Sequence, residues 1–160
     1  MKRSAELRDL SEDHHRGLIQ ARHLRLACAG RRAVDRTVAE FLAAWRDELG
    51  PHFRAEEEVL LPHFAGAAPV DDPLIVRTLV EHVALRRAAR SLEGASGERR
   101  RALAGELGRA LEAHIRFEER ELFPAVEAAL AGPALAALAG ELARVERRGA
   151  TCAREPASRS

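Results

Sequence analysis

Apolar residues recur along this chain at intervals of three and four, the spacing of helices that each bury one face. Over residues 5–29 the repeat is carried by Leu7, Leu10, Leu18, Ala21, Leu24 and Cys28, and it stops near Gly30. A second stretch runs from about Ala33 to Gly66 and is interrupted at Gly50 and Pro51. A proline inside a helix removes one backbone donor, so a kink in one helix is expected there rather than two unrelated helices. The loop "GAAPVDDP" follows, with Asp72 placed as an N-cap and Pro73 at the first helical position. A third helix then reads "LIVRTLVEHVALRRAARSLEG" and closes at "GASG". The fourth starts near Glu98 and reaches about Leu130. Behind "AGP" the pattern predicts a short Ala-rich helix over 134–148, and "GATCAREPASRS" after it has the composition of a disordered tail.

Strand-like alternation of β-branched residues is missing. Four long helices with short connections predict an all-α protein, an antiparallel up-down four-helix bundle with an additional short C-terminal helix on its outside. The domain is expected over 1–148 and the tail over 149–160.

Composition sharpens this picture. Hydrophobic residues make up 46% of the 160 but aromatics only 4%, so the interior is built from Leu, Ala and Val, as suits helices. There is no Tyr, the usual carrier of a protein-based radical. Twenty-six basic against 25 acidic residues leave a net charge of +1, which gives no global field to draw nucleic acid or an anionic membrane. No apolar run approaches the roughly 18 residues of a membrane span, and the N-terminal residues lack the apolar core of a signal peptide. Cys28 and Cys152 are too few and too far apart for a disulfide framework or a CxxC knuckle. A cytoplasmic protein is expected.

Candidate chemistry lies in a repeat. "HFRAEEEVLLPHF" at 52–64 returns as "HIRFEERELFPAV" at 114–126, with the His, the Arg, the paired Glu residues, the Leu and the Pro in register. On a helix, residues i and i+4 share a face, so His52 with Glu56 and His114 with Glu118 each aim an imidazole and a carboxylate the same way. His82 lies on the third helix and His14 or His15 on the first, so every long helix supplies an imidazole. One HxxxE pair is usually a solvated surface pair. Two copies in matching context, with a His on each remaining helix, instead read as a metal site, because carboxylates in a Leu/Ala interior need a cation or a partner.

Four His and two Glu suit a pair of first-row transition-metal ions, with the carboxylates bridging and the imidazoles terminal; iron is the first choice. Calcium and magnesium prefer oxygen donors, and structural zinc usually takes four ligands, often Cys. Manganese and zinc nonetheless accept the same donor types.

Neighbouring residues are given plainer roles. His23 is placed on an exposed flank, and His63, eleven residues after His52, on roughly the same face but at the periphery. Glu57, Glu58, Glu119 and Glu121 are assigned to charged faces, with Glu57 and Glu119 as alternatives should the helical register differ. His14 and His15 cannot both face one metal, because consecutive residues differ by about 100°. A wheel centred on Leu10, Leu18, Ala21 and Cys28 favours His14. His82 is followed at +3 and +6 by Leu85 and Ala88, as His15 is by Leu18 and Ala21, and on that comparison His15 is preferred.

The segments "DHHRGLIQARHL", "HFRAEEEVLLP", "EHVALRR" and "HIRFEERELFP", in this order over 13–124, resemble the helix motifs of hemerythrin-like proteins with an HHE cation-binding domain. The resemblance implies a four-helix bundle holding an oxo- or hydroxo-bridged pair of iron ions. Glu56 and Glu118 would bridge, with His52, His82, His114 and one of His14 and His15 as terminal ligands. It further implies O2, NO or peroxide binding or sensing, or iron handling. Two departures from the oxygen-carrying hemerythrins are visible. Thr78 and Arg86 stand one turn either side of His82, where those proteins have a fifth His. Their fourth-helix carboxylate is an Asp five residues after its His, whereas here Glu118 lies four after His114. Both argue against reversible oxygen carriage, and fewer protein ligands leave open coordination positions.

A ferritin-like bundle would need Glu-x-x-His twice, and only Glu12 with His15 has that spacing. No separate acid, base or nucleophile is legible, so a binding or sensing protein is preferred to a di-iron oxidase or peroxidase. A metal-free helical interaction module ranks third.

Overall fold

In the computed structural model, residues 4–130 and 132–152 are described, with side chains through Val145. Every regular element among the described residues is helical, and the helices form five rods. These are α1 (Arg8–Cys28), α2 (34–65), α3 (Pro73–Glu93), α4 (97–129) and α5 (Pro133–Cys152). Asp72 caps α3 as expected, its side chain accepting from the backbone N–H of Leu74 at 2.8 Å. The fifth helix is longer than the expected 134–148 and runs to Cys152; residues 153–160 of the expected tail lie outside the described residues.

The interruption at Gly50–Pro51 is local. Within α2, residues Trp45–Leu49 form a π turn, and Glu56–Leu60 form a second; α4 has one at Glu118–Leu122. Each ends two residues before a proline: Pro51, Pro62 and Pro124. A proline cannot donate to the carbonyl four residues back and its ring crowds that carbonyl. Widening one turn lets the residue before the proline bond five back instead: Gly50 to the Trp45 carbonyl, Leu61 to Glu56, Phe123 to Glu118. Glycine is required at position 50 because a Cβ there would stand 2.9 Å from the Trp45 carbonyl oxygen.

The closest packing is between α1 and α4, where glycines let the backbones approach. A Cβ at Gly108 would stand 2.7 Å from the carbonyl oxygen of Ala21, and one at Gly105 would overlap the Cys28 side chain. Because the obstacle at Gly108 is backbone, Gly108→Ala is expected to destabilise the protein. Overpacking costs about 1–3 kcal/mol and outweighs the gain of under about 1 kcal/mol from replacing a helical glycine. Urea denaturation would register this as a lower midpoint.

Two apolar clusters fill the interior. One gathers Leu7 and Leu10 with Val59, Leu60, Phe64, Leu122, Phe123 and Leu138; the other gathers Ala21, Leu24, Phe41, Phe53, Leu85, Leu107 and Leu111. The chain's buried ionisable side chains, among the described residues, are His14, His52, Glu56, His82, His114 and Glu118. On α1, α2 and α3 they fall in the sequence between residues of the first cluster and residues of the second.

Candidate metal centre

Each of these six side chains reaches the interior by ordinary helical spacing. The buried stripe of α1 is Leu10, His14, Gly17, Ala21, Leu24 and Ala27, and that of α3 is Ile75, Thr78, His82, Leu85, Ala89 and Leu92. The repeated HxxxE places His52 over Glu56, Nε2 to Oε1 at 3.3 Å, and His114 over Glu118, Nε2 to Oε2 at 3.2 Å. The π turns at Glu56–Leu60 and Glu118–Leu122 open at the Glu of each pair, so the i,i+4 relation to the preceding His is intact.

The donors converge as two overlapping groups. His14, His52, Glu56 and Glu118 offer ligand atoms within 4.8 Å of one another, and so do Glu56, His82, His114 and Glu118. Both carboxylates belong to both groups. His14 Nε2 lies 3.1 Å from Glu118 Oε2 and 3.7 Å from Glu56 Oε1; His82 Nε2 lies 3.4 Å from Glu56 Oε2 and 3.5 Å from Glu118 Oε1. Despite these separations, all four oxygens of Glu56 and Glu118, with Nε2 of His14 and of His52, make no hydrogen bond. Buried carboxylates without hydrogen bonds are costly unless a cation lies among them. The donor set therefore fits two metal ions, one in each group, with the two Glu shared.

His15 is corrected by the structure: it is exposed on the outer side of α1, and His14 is the imidazole that turns inward. The buried stripes of α1 and α3 match at +3 and +7, not at +3 and +6. His82 is followed on its buried stripe at +3 and +7, by Leu85 and Ala89, and His14 is followed at +3 and +7 by Gly17 and Ala21. Gly17 carries no apolar side chain to mark it. It is buried against α4, so close that a Cβ there would stand 2.8 Å from Ile115 Cδ1. His23 is partly buried and outside the donor groups. His63 leaves the face of His52 because the π turn at Glu56–Leu60 absorbs an extra residue; its Nε2 meets Glu141 on α5 at 2.9 Å.

A second layer of carboxylates was missed or assigned to charged faces. Asp13 lies 3.2 Å from Nδ1 of His52, and at 2.8 Å Glu57 meets Nδ1 of His82, Glu81 that of His114 and Glu119 that of His14. Each helix thus supports the imidazole of another, α1 to α2, α2 to α3, α3 to α4 and α4 back to α1. The carboxylates are themselves held: Asp13 by Arg16, Glu57 by both arms of Arg86 at 2.5 and 3.0 Å, Glu81 by Arg77 at 2.8 Å, and Glu119 by the Ser11 hydroxyl at 2.7 Å. A signal was present, since each of the four is the sequence neighbour of a donor. What hid them is that each serves the donor of a different helix.

An imidazole whose Nδ1–H is held by a carboxylate presents Nε2 as a lone pair to a metal and is fixed in orientation. Phe53 stacks on His82 with centroids 4.1 Å apart, and Phe123 stacks on His14 at 5.0 Å, which locks two of the rings further. Replacing Glu57 or Glu119 by Ala is expected to weaken metal binding about 10–100-fold while leaving helix content unchanged. Competition against a chromophoric chelator would read the loss.

Without metal, the same groups neutralise one another with protons. Burial pulls His52 and His82 down, but for His52 the Glu56 charge and the bond to Asp13, and for His82 the close Glu118 and Glu56 carboxylates, reverse this. They are pushed up to about 9 and about 10 respectively. His14 is held well above the ordinary imidazole range for the same reason, by Glu118, Glu119 and Glu56. Burial would raise Glu56, yet His52, His14 and His82 hold it well below the usual carboxylate range, and Glu118 is lowered as well.

A model of the Hemerythrin HHE cation binding domain family matches residues 6–126, a span that contains all six donors. No curated protein and no solved structure matches the chain.

Proposed function

The chain belongs to the hemerythrin HHE cation-binding domain family, and from that premise we propose that it is a non-haem di-iron protein that binds or senses O2, NO or a peroxide. On this reading α1 to α4 form the antiparallel up-down bundle of the family. One iron would be held by His14 and His52 and the other by His82 and His114, with Glu56 and Glu118 shared between them. The observation that carries the reading is the sharing of two hydrogen-bond-free, fully buried carboxylates between two donor groups.

Ligand class follows from access and donor count. Four protein donors per ion leave coordination positions open to a small molecule. His82 is one turn from Thr78 and Arg86, and neither adds a donor: the Thr78 hydroxyl donates to the Leu74 carbonyl at 2.8 Å, and Arg86 is engaged by Glu57. The six donors are at most 3% exposed, so only a molecule of a few atoms reaches them without unpacking a helix. Bound iron would supply a redox-active Lewis acid. The chain's own part is to fix the imidazoles through their Nδ1 carboxylates and to keep bulk water out.

No helix among the described residues is long and apolar enough to cross a membrane; we place the protein in the cytoplasm, where iron and its small ligands are both available. Anaerobic reconstitution with ferrous iron, followed by O2, NO and H2O2 in turn, tests the reading. Two irons per chain and a change in the visible bands with at least one of the three are expected. Chains that take up no iron would overturn the proposal, and sustained peroxide consumption would move the protein among the peroxidases.

A further inference from the structure

Six large apolar side chains are exposed among the described residues, and four of them lie on α3: Val76, Leu79, Val80 and Val83, between 41% and 66% exposed. Their spacing, i, i+3, i+4 and i+7, makes one continuous stripe on the side of the helix opposite His82 and Leu85. A soluble surface rarely concentrates aliphatic side chains in this way unless something covers them. The described helices leave the stripe open, and residues 153–160, "AREPASRS", contain no large apolar side chain with which to cover it.

The charges at the two ends of the stripe identify the cover. Asp72 lies on the same helical line one turn before Val76, beside the exposed Asp71. Arg87 lies one turn after Val83, followed on the same line by Arg90; both are exposed and neither makes an ion pair among the described residues. The stripe therefore reads acid, four aliphatics, base. Laid against an antiparallel copy of itself about an axis between Leu79 and Val80, it sets Val76 against Val83, Leu79 against Val80, and Asp72 against Arg87. A parallel copy would set acid on acid and base on base. The antiparallel pairing also aligns opposite ends of the two helix dipoles.

We propose that the exposed face of α3 is a self-association surface, through which two copies of this chain pair as a two-fold dimer with their third helices antiparallel. A two-fold interface uses the same patch on both copies, and this patch is complementary to itself in polarity and sign of charge. The aliphatic stripe forms the dry centre and the Asp72–Arg87 pairs the rim.

Sedimentation velocity on the full chain at rising concentration tests this. A species of twice the 17.6 kDa chain mass is expected to grow in with concentration. Val80→Glu with Val83→Glu is expected to abolish it, with unchanged helical circular dichroism, because both side chains are on the surface. Arg87→Glu is expected to weaken the dimer about ten-fold, since symmetry repeats each lost pair and places acid against acid. A single-chain mass at every concentration would overturn the proposal, as would a dimer indifferent to the two Val substitutions. A dimer unaffected or tightened by Arg87→Glu would overturn the antiparallel arrangement. Adsorption to lipid vesicles in place of self-association, abolished by the same Val substitutions, would also count against it.

Discussion

Replacing Glu118 by Ala, or Glu56 by Ala, empties both halves of the metal centre rather than one. Each carboxylate belongs to both donor groups, so its loss would take a donor from each at once. It also strands the imidazoles of His14, His82 and His114, which sit 3.1–3.5 Å from Glu118 oxygens; those of His14 and His82 are raised by their carboxylate neighbours. Breaking one side of a buried charge cluster typically costs about 3–5 kcal/mol, and in a domain of this size about 2–4 °C of melting temperature accompanies each kcal/mol. Metal content measured by inductively coupled plasma mass spectrometry is therefore expected to fall to near zero, with a melting temperature lower by about 6–20 °C. His15→Ala and His23→Ala are the controls and should retain full metal. Full occupancy in both Glu variants would remove these residues from the coordination sphere.

The second large effect is the removal of metal from the unaltered protein. A ligand present at about a thousand times its dissociation constant stabilises the folded state by about 4 kcal/mol, so chelation is expected to lower the melting temperature by about 8–16 °C. The stripped protein should also acquire a pH dependence that the loaded protein lacks. In the absence of metal, protons on His52 and His82 are the positive companions of Glu56 and Glu118. Their folded values, about 9 and about 10, lie above the ordinary imidazole value of 6.5. That contribution is fully present below about 6.5 and is lost as pH rises through 9 to 10. Metal-free protein should thus become easier to unfold by urea between pH 7 and 10, whereas bound metal holds the imidazoles neutral over that range. The same protons must leave when metal binds, so loading at neutral pH releases protons and tightens as pH rises. Titration calorimetry in buffers of different ionisation enthalpy would measure the release, and no proton release would contradict the assigned donors.

Much of this architecture was legible in the chain. Three-and-four spacing gave the helices, since it depends only on which residues avoid water. The twice-written HxxxE gave two imidazole–carboxylate pairs, because i,i+4 geometry is a property of one helix and needs no tertiary information. Asp72 and Pro73 marked the start of α3 for the same local reason. Pro51 announced a disturbance in its helix; Pro62 and Pro124, one in each repeated segment, stood in the chain without being read that way.

Other features lay beyond any single stretch of chain. That His14 and not His15 turns inward went unmarked at Gly17, which has no side chain and is buried where α4 comes close enough to place Ile115 against it. His63 was carried off its expected face by a π turn whose extra residue is invisible to a regular 3.6-residue wheel. The ring of Asp13, Glu57, Glu81 and Glu119 looked like solvated charge, because each serves an imidazole 25 to 105 positions distant in sequence, on another helix. The exposed stripe of α3 was read as ordinary apolar periodicity, which cannot tell a face turned to the core from one turned to water. What the sequence alone determined is whatever follows from one helix's own repeat: where the rods run and which donors share a face. What only the tertiary structure decided is which helix stands opposite which, and hence which carboxylate holds which imidazole, because those partnerships depend on interhelical distances that local periodicity does not encode.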